Sequence, residues 1–145
     1  MAGFNSDKLD KHSFQLGMIY AFAEVVGSGV KRLGLSPPLD ETEYNEIIED
    51  TRIIADEYGV KIYTDNDFLE TLLFNPEYTR DKVVIHLADS TETLEEYLEL
   101  KDRKKRLEQS GKLNRINEEE IARGLGRLLS YSEETVENLI EKPRF

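Results

Sequence analysis

The chain has 145 residues, no cysteine and a formal net charge of −11 at pH 7. This length predicts one domain, residues 1–145, with a core large enough to fold without disulfide bonds. Without cysteine there is no thiolate metal site and no thiol nucleophile. The excess of acidic residues, 30 against 19 Lys and Arg, disfavours nucleic acid and anionic membranes as partners, because both carry phosphate.

No stretch has the pattern of a secretory signal peptide, and no run approaches the roughly 18 apolar residues of a transmembrane helix. We therefore expect a cytoplasmic protein. One segment departs from the acidic balance, since residues 101–115 contain seven Lys and Arg. Cations favour the C-terminal end of a helix because they complement its dipole. We interpret this segment as a solvated helix end rather than as an anion-binding patch.

Two helices are predicted in the first part of the chain. Residues 7–28 have apolar side chains around most of the helical circumference, which indicates a largely buried helix. Residues 40–58 have an apolar stripe at helical spacing. Asp40 and Glu43 have the spacing of a capping box, which predicts the start of the second helix.

A Gly-Val-Lys triplet follows each of these helices, at Gly29 and again at Gly59. A glycine commonly ends a helix, and β-type residues follow both triplets. The repetition predicts two strands, over residues 30–35 and 60–63. The adjacent prolines 37 and 38 end the first strand, because proline cannot continue a hydrogen-bonded ladder.

The stretch after the second triplet organises the rest of the fold. An apolar run over residues 83–87 predicts a third strand, and residues 67–74 predict a short helix capped by Asn66 or Asp67. Strand, helix and strand in this order are typical of a βαβ unit, in which the strands are parallel. Strand order stays open, since a doubly wound topology favours the first strand at the centre, whereas the third strand is the most apolar.

Three further helices are predicted after the third strand, together with a candidate fourth strand over residues 113–116. The helices cover residues 91–108, 117–129 and 132–142. Alternating helices and strands predict a small three-layer, Rossmann-like α/β domain with a three-stranded parallel sheet. In this prediction residues 1–111 form the core and residues 112–145 form a C-terminal helical extension.

Polar residues follow every predicted strand, and they define the candidate ligand site: Ser36, Asp65, Asp67, Asp89, Ser90 and Thr91. Because the carboxyl ends of parallel strands meet at one edge of a sheet, we expect these residues to surround one crevice. Hydroxyl and backbone N–H groups there suit a phosphate or carboxylate, and the carboxylates suit Mg²⁺ bridging to a phosphate. The alternative is that each of these residues only caps a helix.

His86 lies inside the third predicted strand, near its carboxyl end. A histidine at such a position is a candidate general acid or base, or a donor to an anion. The alternative is a histidine that packs against a helix and hydrogen-bonds locally. The other histidine, His12, is far away in sequence, so the pair does not predict a metal site.

Two functional classes remain. The first is a domain that binds a small anionic ligand, of phosphate or nucleotide type, at the strand ends. The second is a non-catalytic, homodimeric protein-interaction module. A homodimer is expected because a three-stranded sheet leaves two edges to cover and the first helix is apolar around most of its circumference. No motif in the sequence identifies a reaction, so the sequence leaves open whether the protein is an enzyme.

Overall fold

A computed structural model describes residues 5–143, which form a mixed α/β fold of three strands and five α-helices. The strands are β1 (Leu33–Leu35), β2 (Lys61–Asp65) and β3 (Val84–Ala88). The helices are α1 (Lys11–Gly27), α2 (Glu41–Tyr58), α3 (Thr91–Gln109), α4 (Arg115–Leu128) and α5 (Glu133–Glu141). Single turns of 3₁₀-helix lie at Ser6–Lys8 and Pro76–Tyr78. Within the described residues, no helix is both long and apolar enough to cross a membrane.

The sheet is antiparallel, so the prediction of a parallel, Rossmann-like sheet was wrong. The strand order is β1-β3-β2, and β3 pairs antiparallel with both neighbours. The apolar character of β3 is explained by its central position, where all five of its residues are buried. The register places His86 between Leu35 of β1 and Tyr63 of β2.

The connection between β2 and β3 explains the error. Residues 67–74 form an irregular loop, not the predicted helix, so the chain returns to the sheet without a crossover. Parallel neighbours require a crossover connection, whereas a directly returning strand pairs antiparallel. The crossover in this chain is α2, which joins β1 to β2. These two strands run in the same direction on opposite sides of β3.

β1 is shorter than the predicted range 30–35. The Val30 N–H donates to the Val25 carbonyl at 3.2 Å, so Val30 still belongs to the C-terminal turn of α1. The residue is 74% exposed. Gly29 has a φ of +86°, a left-handed conformation that glycine adopts at little cost and that ends many helices. The triplet therefore ends the helix as predicted, and the strand begins three residues later than predicted.

Capping residues confirm the predicted starts of two helices, α2 and α5. Asp40 accepts from the Glu43 N–H at 2.8 Å, and Glu43 Oε1 accepts from the Asp40 N–H at 2.9 Å, which confirms the capping box of α2. Ser132 caps α5, at the residue where the last helix was predicted to start. The candidate fourth strand at residues 113–116 was wrong, because Asn114 caps α4.

The sheet separates two hydrophobic clusters, which makes a three-layer arrangement. Ile85 and Leu87 face α1 and α2 on one side of the sheet. Leu33, Val84 and Ala88 lie in the cluster formed with α3, α4 and α5 on the other side. Since side chains alternate along a strand, His86 also faces the α3 side, as does Asp65 at the end of β2. This alternation places Asp65 of β2 and His86 of β3 on the face of the sheet that packs against α3.

Candidate functional site

The antiparallel sheet divides the predicted site residues between its two ends. Residues 89–91 follow the carboxyl end of β3, where the Asp89 N–H donates to the carbonyl of Arg32 just before β1. Ser36, Asp65 and Asp67 lie at the opposite end of the sheet, where β1 and β2 finish. The single crevice expected from a parallel sheet therefore does not form. Whether either group binds an anion stays a prediction.

The residues after β3 have the geometry of a helix cap. Ser90 is the N-cap of α3, and its Oγ accepts from the Thr93 N–H at 3.3 Å. Asp89 Oδ1 accepts from the Thr93 hydroxyl at 2.5 Å, and Thr91 is the exposed first residue of the helix. Among the described residues, no group of three or more acidic, His or Cys side chains could hold a metal ion. The expected Mg²⁺ site thus has no assembled ligand set in that part of the chain.

Ser36 is buried, and its hydroxyl extends the pairing of β1 with β3. Its N–H donates to the Ile85 carbonyl, and its Oγ accepts from the Ile85 N–H, both at 2.9 Å. The Oγ then donates to the Pro37 carbonyl at 2.9 Å. The side chain therefore replaces main-chain groups of the ladder at the point where two prolines end the strand.

Asp65 is the centre of a buried polar cluster that also contains His86, Tyr97 and Lys101. Its Oδ2 accepts from the Tyr97 hydroxyl at 2.5 Å and from His86 Nε2 at 3.1 Å. Its Oδ1 accepts from Lys101 Nζ and from the Asp67 N–H, both at 3.0 Å. Four donors thus surround one carboxylate, which explains how a charge lies inside the fold.

Burial and hydrogen bonding have opposite effects on the groups of this cluster. Burial raises the pKa of Asp65, but the donors His86, Tyr97 and Lys101 outweigh it and hold that pKa well below its usual range. Burial raises the pKa of Tyr97, and the neighbouring Asp65 raises it further. The cluster therefore holds an ionised carboxylate beside a protonated phenol.

The burial of His86 favours its neutral form. Burial lowers its pKa below the ordinary value, although the Asp65 carboxylate acts in the opposite direction. The Nε2–H donates to Asp65, and Nδ1 then carries a lone pair that has no hydrogen-bond partner within residues 5–143. The rings of Tyr63, Phe68 and Tyr97 surround the imidazole, at centroid distances of 5.4, 5.7 and 4.3 Å. The side chain is fully buried, so no solute reaches it without a rearrangement.

The cluster joins the sheet, α3 and the loop after β2. Tyr97 and Lys101 lie one turn apart on α3, and they contact residues of both strands. The Tyr97 hydroxyl also accepts from the Leu69 N–H at 2.9 Å, which fixes the loop. Only Lys101 reaches solvent, with 16% of its side chain exposed. This geometry matches the local, structural interpretation of His86, and a role as acid or base stays a prediction.

A second feature is a cleft of about 210 Å³ between α1, the end of β1 and the segment that joins α4 to α5. Its walls are mainly apolar and include Phe22, Phe68 and Phe74. Among the described residues that line the cleft, Lys31 alone carries a formal charge. Apolar walls with a few polar groups are typical of small-molecule sites.

The Lys31 ammonium is held without a carboxylate partner. Its Nζ donates to the Leu129 carbonyl at 2.7 Å and lies over the rings of Phe22 and Tyr131, at 5.8 and 5.2 Å from their centroids. Within residues 5–143, no Asp or Glu forms an ion pair with it. Burial lowers the pKa of Lys31, which reflects the energetic cost of a cation in this cleft.

Sequence reasoning identified Asp65 and His86 but missed three of the residues that complete these sites. Tyr97 and Lys101 share one helix face at a spacing of four residues, and that was a usable signal. Lys31 was interpreted as part of a helix-to-strand junction and not as a site residue. Its signal is weak, because the aromatic residues around it come from four separate segments.

No protein family model, curated protein or solved structure gives a significant match to this chain. Function is therefore inferred from the geometry of a mixed α/β fold with a buried Asp–His–Tyr–Lys cluster and a cation in an apolar cleft.

Proposed function

We propose that the protein binds a small carboxylate with an apolar body, such as an aromatic acid, in the Lys31 cleft. The supporting observation is the Lys31 ammonium, which lines an apolar cleft and has no acidic partner in the described part of the chain. Removing a charge from water is costly unless the charge is paired. A lysine has three N–H donors, and Leu129 accepts one of them, so a ligand carboxylate has donors to accept from.

The size and walls of the cleft favour a ligand with one ring or a short chain. The volume of about 210 Å³ is below the roughly 300 Å³ at which drug-sized sites begin, so the cleft suits a ligand smaller than a nucleotide. The aromatic walls offer edge and face contacts to a planar ring. Lys31 supplies a local positive charge in a protein whose net charge of −11 repels anions at long range.

Replacing Lys31 by methionine is expected to weaken benzoate binding by roughly 10- to 100-fold, because a hydrogen bond to a charged group contributes about 1.5–3 kcal/mol. Methionine keeps much of the length of the side chain and removes the charge. The matched control is Lys61→Met, which removes an exposed lysine from β2. Calorimetric titration of benzoate into the three proteins measures the effect.

Benzamide has the shape of benzoate without its charge. Comparing the affinities of the two compounds therefore distinguishes a site that recognises the carboxylate from one that binds only through apolar contacts. Wild type is expected to prefer benzoate, and Lys31→Met is expected to lose that preference. Equal affinity of wild type for both compounds would contradict the proposal. So would the absence of binding for benzoate, phenylacetate and short-chain acids alike.

The homodimeric interaction module remains the second candidate. Its supporting observation is apolar surface on α1, where Phe14 and Tyr20 are each 45% exposed. We expect light scattering at micromolar concentration to give the mass of two chains, and the double variant Phe14→Ser, Tyr20→Ser to give the mass of one. A wild-type mass of one chain would reject the dimer and leave the ligand-binding proposal untouched.

A further inference from the structure

We propose that Lys31 is also a nucleophile, which forms an imine with small aldehydes that enter the cleft. The inference rests on the cleft of the proposed function, but it does not require that the natural ligand is an acid. It assigns to Lys31 a covalent reaction in addition to binding.

The surroundings of Lys31 favour the reactive form of its side chain. Only the neutral amine attacks a carbonyl, and a lysine in an apolar pocket has a larger neutral fraction than a solvated lysine. Lys31 lines an apolar cleft and has no acidic partner among the described residues to hold the ammonium form, whereas the Leu129 carbonyl and the faces of the Phe22 and Tyr131 rings favour the cation. Burial lowers its pKa.

Lys11 in the same chain has the opposite surroundings. Its Nζ lies 2.8 Å from a carboxylate oxygen of Glu43, and its side chain is largely exposed. The hydrogen bond to Glu43 raises the pKa of Lys11, so its neutral fraction is smaller. The two lysines therefore form an internal comparison, in which the cleft and not the residue type decides reactivity.

The reaction needs no oxidant, reductant or metal. The amine lone pair of Lys31 attacks the aldehyde carbon, a C–N bond forms, and the carbonyl π electrons move to oxygen. One proton passes from nitrogen to that oxygen and gives a carbinolamine. Loss of the hydroxyl group, with the second nitrogen proton, releases water and leaves a C=N bond. An amine and an aldehyde are consumed, and an imine and water are formed.

The aromatic walls define the class of aldehyde. A planar aldehyde with one ring matches both the volume and the ring faces of the cleft. The lysine stem is flexible, so the amine can turn from the Leu129 carbonyl toward a carbonyl carbon in the cleft. An aldehyde with no apolar body would have no contact that favours Lys31 over exposed lysines.

The test is trapping with benzaldehyde and sodium cyanoborohydride, followed by peptide mapping. At limiting aldehyde and pH 7.5 we expect Lys31 to be benzylated faster than Lys11, because burial lowers the pKa of Lys31 and the hydrogen bond to Glu43 raises the pKa of Lys11. The Lys31 rate is also expected to level off at a lower pH than the Lys11 rate. Labelling spread evenly over the lysines, or slower at Lys31, would overturn the inference.

A variant and a competitor distinguish this inference from the proposed function. Lys31→Arg is expected to abolish the selective adduct and to leave labelling of the other lysines unchanged. The pH dependence of labelling at Lys31 is measured on the wild-type protein, so this test does not depend on the folding of a variant. Selective labelling without benzoate binding would support the nucleophile and reject the carboxylate site. Benzoate binding together with even labelling of all lysines would support the carboxylate site and reject the nucleophile. If both hold, benzoate is expected to slow labelling at Lys31 and at no other lysine.

Discussion

Replacing Asp65 by alanine is expected to destabilise the protein by about 3–5 kcal/mol, the cost of removing one partner from a buried charge pair. The substitution leaves the Lys101 ammonium, the Tyr97 hydroxyl and His86 Nε2–H without their common acceptor. The loss is a large part of the roughly 5–15 kcal/mol by which a typical domain is stable. Urea denaturation followed by circular dichroism measures it.

Asp67→Ala is the matched control, because Asp67 is exposed and joins the cluster only through its backbone N–H. Its expected effect is within about 0.5 kcal/mol, as for most surface substitutions. Tyr97→Phe is a milder variant of the same cluster and is expected to cost about 1–3 kcal/mol, since it leaves the Leu69 N–H and one Asp65 oxygen short of a partner. If Asp65→Ala were no less stable than Asp67→Ala, the cluster would contribute no net stability.

The sequence predicts the positions of most elements but not the direction of the sheet. Capping residues and apolar runs located three strands and the long helices, because these signals are local. Strand direction depends on the loop between β2 and β3, in which Phe68, Leu69 and Leu73 are buried against the α3 side. Their spacing also fits a short amphipathic helix. A short apolar segment therefore does not reveal whether it is a helix or a loop that buries the same side chains.

The candidate site could be predicted only in part, for a related reason. Asp65 and His86 were identified as polar residues in or after strands, but their contact results from the register of β2 on β3. Tyr97 and Lys101 reach them because α3 packs on that face of the sheet. Register and helix packing are set by the whole core. Because the strand direction was predicted wrongly, residues 89–91 were expected beside Asp65, whereas the antiparallel sheet places them at its opposite end.

The second large effect is a loss of stability at acidic pH. As the pH falls below about 6.5 the protein is expected to lose stability, because His86 and, at lower pH, Asp65 bind fewer protons in the folded state than in the unfolded state. Burial lowers the pKa of His86 below its ordinary value, so its contribution is present above about pH 6.5 and is lost as the pH falls below it. The hydrogen bonds of Asp65 lower its pKa, so its contribution is lost below about pH 3.9.

The slope of the free energy of unfolding against pH tests whether His86 is the group responsible. Each proton taken up only by the unfolded state changes the free energy of unfolding by about 1.4 kcal/mol per pH unit. Because burial lowers the pKa of His86, the free energy of unfolding is expected to fall with pH below about pH 6.5, with this slope as its upper limit. The groups that face the imidazole are Asp65, Tyr97 and Tyr63, with Lys101 behind the carboxylate. The carboxylate favours the imidazolium and thereby opposes the effect of burial. The sign of the slope therefore reports which of the two dominates.

His86→Gln is expected to lose this slope between pH 7 and pH 5, whatever its stability at pH 7. His12→Gln is the matched control, because it removes the other histidine, at the start of α1, and leaves the buried cluster intact; it is expected to keep the wild-type slope. Urea denaturation of the three proteins at half-unit intervals of pH measures the slopes. A wild type that becomes more stable as the pH falls from 7 to 5 would mean that Asp65 holds His86 as an imidazolium. The Nδ1 atom would then be a buried donor in need of an acceptor, rather than a bare lone pair.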